Sequence, residues 1–467
     1  MTLIKSISGI RGTIGGRSGD NLSPEDIVKF AAAYGAWIKS KHADQKVRIV
    51  IGRDARISGP MLSALVSATL SGLGIDVVDL GLSTTPTVEL AVPMEDAQGG
   101  IILTASHNPR EWNALKLLNA KGEFISAADG EDILAIAEKG GIEYVSVGKL
   151  GEISANDSYM QKHIQHILDL ELVDVDAIRS AELKVAIDCV NSSGGIFLPA
   201  LLRELGVKEV YELYCEPTGD FPHNPEPLKE NLSEIAALVR KKNADLALVV
   251  DPDVDRLAIV REDGEMFGEE YTLVAVADYV LQHQNGAAVS NLSSTRALRD
   301  LCEKNEAAYQ ASAVGEVNVV AKMKEINAVI GGEGNGGVIY PQSHYGRDAL
   351  VGAALFLSHF AKFRNGERKT VSQLRAQYKN YHISKNKIEL RAEMDVDDIL
   401  EKISVKYQKY PQNTIDGLKI DFENEWVHLR KSNTEPIIRI YSESESESTA
   451  TILAEKIISD IREIIKS

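Results

Sequence analysis

The chain has 467 residues, and at about 150 residues per domain this length predicts about three compact units, with four small ones also possible. Hydrophobic residues make up 44% and charged residues 25%, an ordinary globular balance that excludes global disorder. The formal net charge of −17 disfavours binding to nucleic acid or to anionic lipid, because a surface this negative repels phosphate groups. A phosphate ester substrate would therefore need a local concentration of Arg, Lys and backbone amides.

The cysteines and the apolar segments indicate the compartment. Cys189, Cys215 and Cys302 are too widely spaced for a zinc or redox pair, so we expect them to be reduced core residues. Residues 1–12 lack a long apolar segment, and the most apolar stretch, 349–357, is shorter than the roughly 20 residues of a membrane span. We therefore expect a soluble, cytoplasmic protein.

One pattern of a β-branched strand, a polar loop, a helix and a second strand occurs three times along the chain. The first strands lie at 47–54, 184–191 and 287–291, the helices at 61–71, 199–205 and 295–302, and the second strands at 75–78, 209–213 and 308–310. This order is typical of layered α/β units. The sequence therefore predicts an α/β fold with three similar domains that contain mixed sheets.

The C-terminal part has a different pattern, which predicts a fourth, α+β domain. Its strands are expected at 415–422, 426–429 and 437–441, and apolar residues recur at helical spacing from 452 to 465. The Ser/Glu segment 442–448 is predicted to be a solvated acidic turn at the positive end of that helix. The predicted domains span residues 1–150, 151–256, 257–370 and 371–467.

The first loop with candidate chemistry, Thr104-Ala-Ser-His-Asn-Pro-Arg, directly follows an apolar strand. A side chain at the end of a strand in an α/β fold is well placed for chemistry, which favours Ser106 as a reactive residue. A turn in which Ser106 and Asn108 form local hydrogen bonds before Pro109 explains the same residues. The Gly-x-Ser-x-Gly frame of a hydrolase elbow is missing around Ser106.

The second motif consists of three aspartates at alternate positions after an apolar strand, namely Asp251, Asp253 and Asp255, followed by Arg256. Three crowded carboxylates repel one another, a cost that a bound hard cation removes, and oxygen ligands alone suit Mg²⁺. A calcium loop is the alternative, because Glu262 stands at the twelfth position counted from Asp251. Arg256, where the sharp-turn glycine belongs, weakens that alternative.

Two further loops are candidates for binding sugar and phosphate. Residues 331–337 contain five glycines around Glu333 and Asn335, and a carboxylate in such a loop fits sugar hydroxyls better than phosphate. No Lys-Ser/Thr pair follows these glycines, which excludes a P-loop. Residues 430–436 combine the guanidinium of Arg430 with hydroxyls and turn amides, which indicates either an anion nest or an ordinary polar hairpin turn.

These four motifs, preceded by Ser8-Gly-Ile-Arg-Gly12, resemble over nearly the whole chain the α-D-phosphohexomutase family. The family comprises phosphoglucomutases, phosphomannomutases and phosphoglucosamine mutases. The resemblance implies four domains around a central cleft and an intramolecular phosphotransferase that interconverts hexose 6-phosphate and hexose 1-phosphate. It also implies a phosphoserine at Ser106, a bound 1,6-bisphosphate intermediate, and a hexose 1,6-bisphosphate as activator.

The resemblance further implies a role for each candidate residue. Ser106 and the aspartates Asp251, Asp253 and Asp255 would bind Mg²⁺. Catalysis would involve Ser106, Arg11, His107, Lys116 and Arg256, with Lys116 and His107 assisting proton transfer. The sugar and its distal phosphate would be bound by Glu333, Asn335, Arg430, Ser432, Asn433 and Thr434. The expected partner is a small hexose phosphate, and the expected assembly is a monomer or a homodimer.

Two loops depart from the family pattern. Many relatives have a histidine at the end of the sugar loop where this chain has Gly337, and His344, seven residues further on, is one candidate to replace it. The loop Val314-Gly-Glu316 lacks a histidine that some relatives have after the glycine. The loops most resemble those of phosphoglucosamine mutases. The alternatives are a phosphomannomutase or phosphoglucomutase and a catalytically silent sugar-phosphate-binding relative.

Overall fold

A computed structural model describes residues 2–6, 9–43, 45–390, 394–431 and 437–466 of the chain. These residues form two compact units. Unit 1 comprises Met1–Tyr279 and Asn335–Leu374, and unit 2 comprises Val280–Gly334 and Arg375–Ser467.

The first part of unit 1 is a mixed sheet with helices between its strands. Its elements are β1 (Ile4–Ser6), β2 (Gly9–Thr13), α1 (Pro24–Lys41), β3 (Arg48–Arg53), α2 (Gly59–Gly72), β4 (Asp76–Leu82), α3 (Thr85–Met94), β5 (Gly99–Leu103), β6 (Trp112–Leu118), α4 (Ala127–Lys139), a 3₁₀ turn (Val147–Lys149) and β7 (Ile153–Ala155). Among the described residues the strand order is β1-β2-β6-β5-β3-β4-β7. β3 pairs in parallel with β4 and β5, whereas β6 pairs antiparallel with β2 and β5.

The strand β5 positions the first candidate loop. All five of its residues are buried, as expected for a strand covered on both faces. The chain leaves β5 after Leu103 and returns as β6, in which Lys116 pairs with Ile102. The antiparallel return therefore brings Lys116 back beside the end of β5 that carries Ser106.

The second part of unit 1 contains another mixed sheet. Its elements are α5 (Tyr159–Leu168), α6 (Val175–Ser180), β8 (Lys184–Asp188), α7 (Gly194–Glu204), β9 (Glu209–Leu213), a 3₁₀ turn (Lys229–Asn231), α8 (Ser233–Lys242), β10 (Leu246–Val250) and β11 (Leu257–Arg261). β8 lies parallel to β9 and β10, and β11 runs antiparallel to β10. The aspartates therefore lie in the hairpin turn between β10 and β11.

This hairpin shows that the calcium-loop alternative is wrong. Leu246 pairs with Arg261, so Glu262 follows the far end of the hairpin from Asp251. Five residues of strand separate the two ends by roughly 17 Å, which is too far for one coordination sphere. The strand β11 takes the place that the second half of a calcium loop would need.

The next region belongs to both units. Its elements are α9 (Glu269–His283), β12 (Ala288–Asn291), α10 (Ala297–Lys304), β13 (Tyr309–Ser312), α11 (Glu316–Ile326), β14 (Ile330–Glu333), β15 (Gly337–Ile339) and α12 (Ala349–Arg364). In unit 2, β12 pairs in parallel with β13 and β14. The three predicted strand–helix–strand copies are thus confirmed as β3–α2–β4, β8–α7–β9 and β12–α10–β13, each with parallel strands.

The apolar stretch 349–357 forms the start of α12, a helix buried in unit 1. No helix in the described part of the chain has the length and hydropathy that crossing a membrane requires. The cysteines are free thiols as predicted, with Cys189 and Cys302 buried and Cys215 half-buried.

The C-terminal region confirms the predicted change to an α+β arrangement. Its elements are α13 (Val371–Arg375), β16 (His382–Glu389), α14 (Val396–Lys406), β17 (Gln412–Asn413), β18 (Leu418–Asp421), β19 (Trp426–Lys431), β20 (Ile437–Ser444) and α15 (Glu447–Lys466). Within the described residues the sheet is antiparallel in the order β16-β20-β19-β18-β17. Apolar residues of α14 and α15 pack with those of the sheet in one core.

The predicted acidic turn at 442–448 is wrong for its first three residues. Ser442, Glu443 and Ser444 continue β20 and are buried. Glu443 Oε1 accepts hydrogen bonds from Trp426 Nε1 (2.6 Å) and from the backbone N–H of Arg296 (3.0 Å). These two donors satisfy Oε1 of a buried carboxylate, which the alternation of Ser and Glu does not reveal.

Candidate active site

Ser106 lies in the loop between β5 and β6 in a backbone conformation that serine rarely adopts. Its φ is +48°, in the left-handed region that costs a non-glycine residue about 1–3 kcal/mol. The N–H of Ser106 donates to Thr104 Oγ1 (2.9 Å), and Thr104 Oγ1 donates to Asp54 Oδ2 (2.6 Å). This buried chain of hydrogen bonds holds Ser106 in place from the end of β3.

Arg56 fixes the rest of the same loop. Its side chain is fully buried, and its Nε donates to Asp54 Oδ2 (3.0 Å). The two terminal nitrogens donate to the carbonyl oxygens of Ser106, Asn108, Pro109 and Trp112. Arg56 is not among the residues predicted from the sequence. The signal was present in Arg53-Asp-Ala-Arg56, where charged residues directly follow a buried strand.

The three aspartates lie together, and one of them, Asp251, contacts Ser106. Asp251, Asp253 and Asp255 are fully buried, and one carboxylate oxygen of each lies within 4.8 Å of the others. Asp251 Oδ1 accepts the backbone N–H groups of Asp255 and Arg256 (both 3.2 Å), which folds the turn around this side chain. Asp251 Oδ2 accepts the hydroxyl of Ser106 (2.8 Å). The structure thus joins the first two sequence motifs directly.

Side-chain hydrogen bonds from the described residues reach only one carboxylate oxygen in each of the other two aspartates. Lys116 Nζ (2.7 Å) and Thr85 Oγ1 (2.6 Å) donate to Asp253 Oδ2. Arg347 Nη2 donates to Asp255 Oδ2 (2.6 Å). Asp253 Oδ1 and Asp255 Oδ1 are buried, and no described residue donates a hydrogen bond to either oxygen. Thr85 and Arg347 are not among the site residues predicted from the sequence, because neither belongs to one of the four motifs.

This set of oxygens is suited to a metal ion. Burial, reinforced by the carboxylates of Asp255 and Asp253, raises the pKa of Asp251. Burial would also raise the pKa of Asp253, but the neighbouring Lys116 lowers it below its usual range. A buried carboxylate oxygen without a donor is costly unless a cation binds it, and hard divalent cations prefer oxygen ligands. The three aspartates could therefore hold a metal.

His107 and Arg256 lie in the same cluster. His107 Nδ1 is 3.4 Å from Ser106 Oγ. Burial, together with the charge of Arg256, lowers the pKa of His107 to about 2, so its imidazole is neutral at pH 7. Arg256 Nε is 3.9 Å from Asp255 Oδ1, and Arg256 Nη1 is 3.6 Å from Glu226 Oε1. The cluster thus contains a neutral imidazole between charged groups.

Arg11 and Lys116 lie on neighbouring strands of the first sheet. Arg11 pairs with Ala114, and Lys116, two residues further along β6, points to the same face. Burial alone would lower the pKa of Lys116, but the carboxylates of Asp253 and Asp255 raise it above its usual range. Lys116 therefore stays protonated at neutral pH.

The sugar-loop residues have separate hydrogen-bond partners in the two units. In unit 2, Glu333 ends β14, and its Oε1 accepts from Asn291 Nδ2 (2.9 Å) and from the N–H of Gly315 (3.1 Å). Glu333 belongs to the sugar loop and Gly315 to the loop 314–316, which are the two loops that depart from the family pattern. The hydrogen bond between them therefore connects these two loops. In unit 1, Asn335 Oδ1 accepts the N–H of Gly337 (3.2 Å).

Arg430 lies on β19 in unit 2. Its Nε is 2.8 Å from Asp416 Oδ2, which also accepts the N–H of Val314 (2.9 Å). Asp416 therefore connects Arg430 to the loop that precedes α11. The remaining predicted phosphate-binding residues, Ser432, Asn433 and Thr434, lie outside the described residues, as does Ser8 of the N-terminal motif.

His344 is not suited to replace the loop histidine. It is buried in unit 1, with Nε2 3.2 Å from Asp348 Oδ2 and Nδ1 3.3 Å from Glu89 Oε2. Burial alone would lower the pKa of His344, but these two carboxylates raise it to about 10. An imidazole held protonated between two buried carboxylates is not poised to accept a proton at neutral pH, which argues against His344 as the proton carrier.

Comparison with known proteins identifies the family. Family models for the phosphoglucomutase/phosphomannomutase alpha/beta/alpha domains I, II and III match residues 3–142, 161–264 and 268–381. The model for the C-terminal domain of the same family matches residues 366–459. A phosphoglucomutase/phosphomannomutase from Thermococcus kodakarensis is 35% identical over 462 residues, covering 97% of this chain and 99% of the relative.

Two further similarities support this match. A phosphoglucosamine/phosphogalactosamine mutase from Sulfurisphaera tokodaii is 30% identical over 470 residues, with 98% of each chain covered. A crystal structure of a phosphoglucomutase/phosphomannomutase family protein from Burkholderia thailandensis shares the fold, with a TM-score of 0.84 at 24% identity over 99% of this chain and 98% of the other. This chain belongs to the α-D-phosphohexomutase family of enzymes.

Proposed function

We propose that the chain interconverts hexose 6-phosphate and hexose 1-phosphate through a phosphoserine at Ser106 and a bound hexose 1,6-bisphosphate. The observation that carries this proposal is the 2.8 Å hydrogen bond between Ser106 Oγ and Asp251 Oδ2. A hydroxyl beside a buried acidic cluster is poorly placed to attack a phosphate on its own. It is well placed to carry a phosphoryl group whose charge a bound cation balances.

The cation we propose is Mg²⁺, held by Asp251, Asp253, Asp255 and the phosphorylated Ser106. The two carboxylate oxygens without hydrogen-bond donors among the described residues, Asp253 Oδ1 and Asp255 Oδ1, support this ligand set. When bound, Mg²⁺ would neutralise negative charge on the transferring phosphoryl group. The protein's part is to hold the carboxylates and Ser106 in register before substrate arrives.

In the transfer step the Oγ–P bond of Ser106 breaks and a bond forms from phosphorus to the free hydroxyl oxygen of the sugar phosphate. The return step phosphorylates Ser106 from the other end of the bisphosphate. Lys116 and Arg256 supply positive charge near the phosphoryl group, and Arg11 extends that charge along the same face of the sheet. The neutral imidazole of His107, 3.4 Å from Ser106 Oγ, is suited to orient the hydroxyl. Its proposed help in proton transfer depends on the phosphoryl group, whose negative charge raises the pKa of a neighbouring imidazole.

Recognition of the substrate is proposed for the other predicted residues. Glu333 and Asn335 would bind the hexose hydroxyls, and Arg430, Ser432, Asn433 and Thr434 would bind the phosphate that does not react. The domain boundaries at 150, 256 and 370 and the central cleft stay predictions. A hexose 1,6-bisphosphate is proposed as the activator that phosphorylates Ser106.

Glucosamine phosphate is the substrate that we favour. The relative from Sulfurisphaera tokodaii carries that substrate in its name, whereas the relative from Thermococcus kodakarensis is named for glucose and mannose phosphates. Glucose and mannose phosphates are therefore the alternatives. A catalytically silent relative is disfavoured, because a protein without the reaction has no need of three buried carboxylates around one serine.

A turnover assay on glucosamine, glucose and mannose phosphates tests the proposal. It includes Mg²⁺ and a hexose 1,6-bisphosphate, with Ser106→Ala as the test variant and Ser448→Ala, an exposed serine, as the matched control. We expect Ser106→Ala to lower kcat by at least about 10,000-fold and to remove a mass increment of one phosphate, while the control keeps both. Turnover that survives in Ser106→Ala would contradict the phosphoserine. Wild-type protein that converts no sugar phosphate would contradict the catalytic proposal.

A further inference from the structure

Gly337 and Arg347 are in such close contact that a side chain at position 337 would displace the arginine. A Cβ atom on Gly337 would lie 2.3 Å from Cδ and 3.1 Å from Cγ of Arg347. Both distances are shorter than ordinary van der Waals contact. The guanidinium cannot shift without loss, because its Nη2 donates to Asp255 Oδ2 at 2.6 Å. The hydrogen atom of a glycine is therefore what leaves room for the arginine stem.

The backbone on both sides of this contact is fixed. Gly337 begins β15, and the N–H of Asp348 donates to the carbonyl oxygen of Val338 (2.9 Å). Asp348 also caps α12, since its Oδ1 accepts the N–H groups of Leu350 (2.8 Å) and Val351 (3.1 Å). Arg347 is thus anchored beside a strand and a helix start, so its side chain has little freedom to leave the contact with Gly337.

The contact of Arg347 with Asp255 resembles that of Lys116 with Asp253. In each pair the cation binds Oδ2, while the Oδ1 of the same aspartate is buried with no hydrogen-bond donor among the residues described. Outer partners of this kind orient metal-binding carboxylates, and their loss typically weakens metal affinity or activity about 10- to 100-fold.

We propose that Arg347, lodged in the space that Gly337 leaves, is a positioning residue that orients Asp255 for metal binding, so that Gly337 and Arg347 act as one coupled pair. The proposal rests on the metal site of the proposed function. At the end of the sugar loop this chain has no side chain, and the aliphatic stem of Arg347 occupies the space.

A double-mutant cycle with Gly337→Ala and Arg347→Ala tests the pair, and Arg347→Lys serves as the conservative control. Binding of Mn²⁺ to the dephosphorylated full-length protein is measured by calorimetry, with far-UV circular dichroism to check folding. We expect Arg347→Ala to weaken Mn²⁺ binding about 10- to 100-fold and Arg347→Lys to retain most of the affinity. Removal of a positive charge would by itself strengthen the binding of a cation, so weaker binding identifies an orienting role.

Gly337→Ala should also weaken Mn²⁺ binding, because the added methyl group displaces Arg347. In the Arg347→Ala background the same substitution should have a much smaller effect on Mn²⁺ binding, since the remaining close contact of the added methyl group is with Asn335 Oδ1 at 3.1 Å. A second readout needs no metal. With EDTA present, Gly337→Ala should lower the apparent Tm by about 3 °C or more when Arg347 is present and by less than about 1 °C when it is absent.

Several results would overturn the inference. They are Mn²⁺ binding in Arg347→Ala that equals or exceeds that of the wild type, strictly additive effects in the cycle, and a wild-type protein that binds no Mn²⁺. None of these measurements uses a sugar substrate. A wild-type enzyme that converts no sugar phosphate but shows the coupled loss of Mn²⁺ affinity would refute the proposed function and leave this pair standing.

Discussion

Two buried charged clusters meet at the consecutive residues Arg347 and Asp348, and they differ in how their carboxylate oxygens are used. Asp348 Oδ2 lies 2.9 Å from His163 Nε2 and 3.2 Å from His344 Nε2, and its Oδ1 accepts two backbone N–H groups. Asp255 receives Arg347 on Oδ2, whereas its Oδ1 has no donor among the described residues. We call the cluster around Asp348 closed, because both oxygens of this carboxylate have partners, and the aspartate cluster open, because Asp253 Oδ1 and Asp255 Oδ1 have no hydrogen-bond donor among the described residues.

The pKa of the central aspartate is lowered in the closed cluster and raised in the open one. Burial alone would raise the pKa of Asp348, but His163 and His344 hold it well below its usual range. In the aspartate cluster, burial and neighbouring carboxylates raise the pKa of Asp251. The carboxylate of Asp348 stabilises the fold because both of its oxygens have partners. An open cluster costs stability until a ligand binds, and this cost is what marks it as a binding site.

Among the charged residues of the two clusters, the largest effect is expected for Asp251→Asn. The amide oxygen can still accept the N–H groups of Asp255 and Arg256, so the turn should keep its shape while the cluster loses one negative charge. We expect kcat to fall by about 1,000-fold or more, with the apparent Tm in EDTA unchanged or higher, because a like-charge repulsion is removed.

Steady-state kinetics and calorimetry on the Asp251→Asn protein check this prediction. Asp348→Asn is the matched control from the closed cluster, and it should do the reverse by lowering Tm in EDTA. Turnover of Asp251→Asn within tenfold of the wild type would show that the open cluster is not the catalytic one.

Arg56 forms buried hydrogen bonds with Asp54 and with the loop that holds Ser106 beside the aspartate cluster. Its removal leaves Asp54 buried without its cation and frees the carbonyl oxygens of the Ser106 loop. For Arg56→Ala we expect a loss of about 3–5 kcal/mol in the free energy of unfolding, measured with urea. Arg56→Lys keeps the charge but not the planar fork, so it should be more stable than Arg56→Ala yet have a reduced kcat. Wild-type kcat in Arg56→Lys would show that the fork does not position Ser106.

The smallest effect concerns pH. The pKa of His344 is raised from 6.5 to about 10 in the folded protein, so folding favours its protonated form. Its contribution to stability is therefore complete below about pH 6.5 and is lost as the pH rises toward 10. Urea unfolding between pH 7 and 10 should show a decline in stability that is shallower in His344→Gln. Equal slopes for the two proteins would place the titrating group elsewhere.

The parts of the site that lie in short segments could be predicted from the sequence. Ser106 and the three aspartates each follow an apolar strand, and strand ends are where an α/β fold exposes chemistry. The parallel order of the three strand–helix–strand copies follows from the same local periodicity. These signals need only residues that are close together in the chain.

The contacts that hold the site depend on residues far apart in the chain. Arg347 contacts Asp255 across 92 positions, and Arg56 contacts the loop around Ser106 across 50. Neither arginine stands in a motif, so its partner is visible only once the chain is folded. Glu443 shows the converse, because a segment with the composition of a solvated turn becomes a buried strand when Trp426 supplies a donor.

Mg²⁺ titration calorimetry on three proteins shows whether the open aspartate cluster binds a metal. We expect one Mg²⁺ site in the wild type, the same site in Asp348→Asn, and none in Asp251→Asn. Equal Mg²⁺ binding by the wild type and Asp251→Asn, or no binding by the wild type, would contradict this expectation.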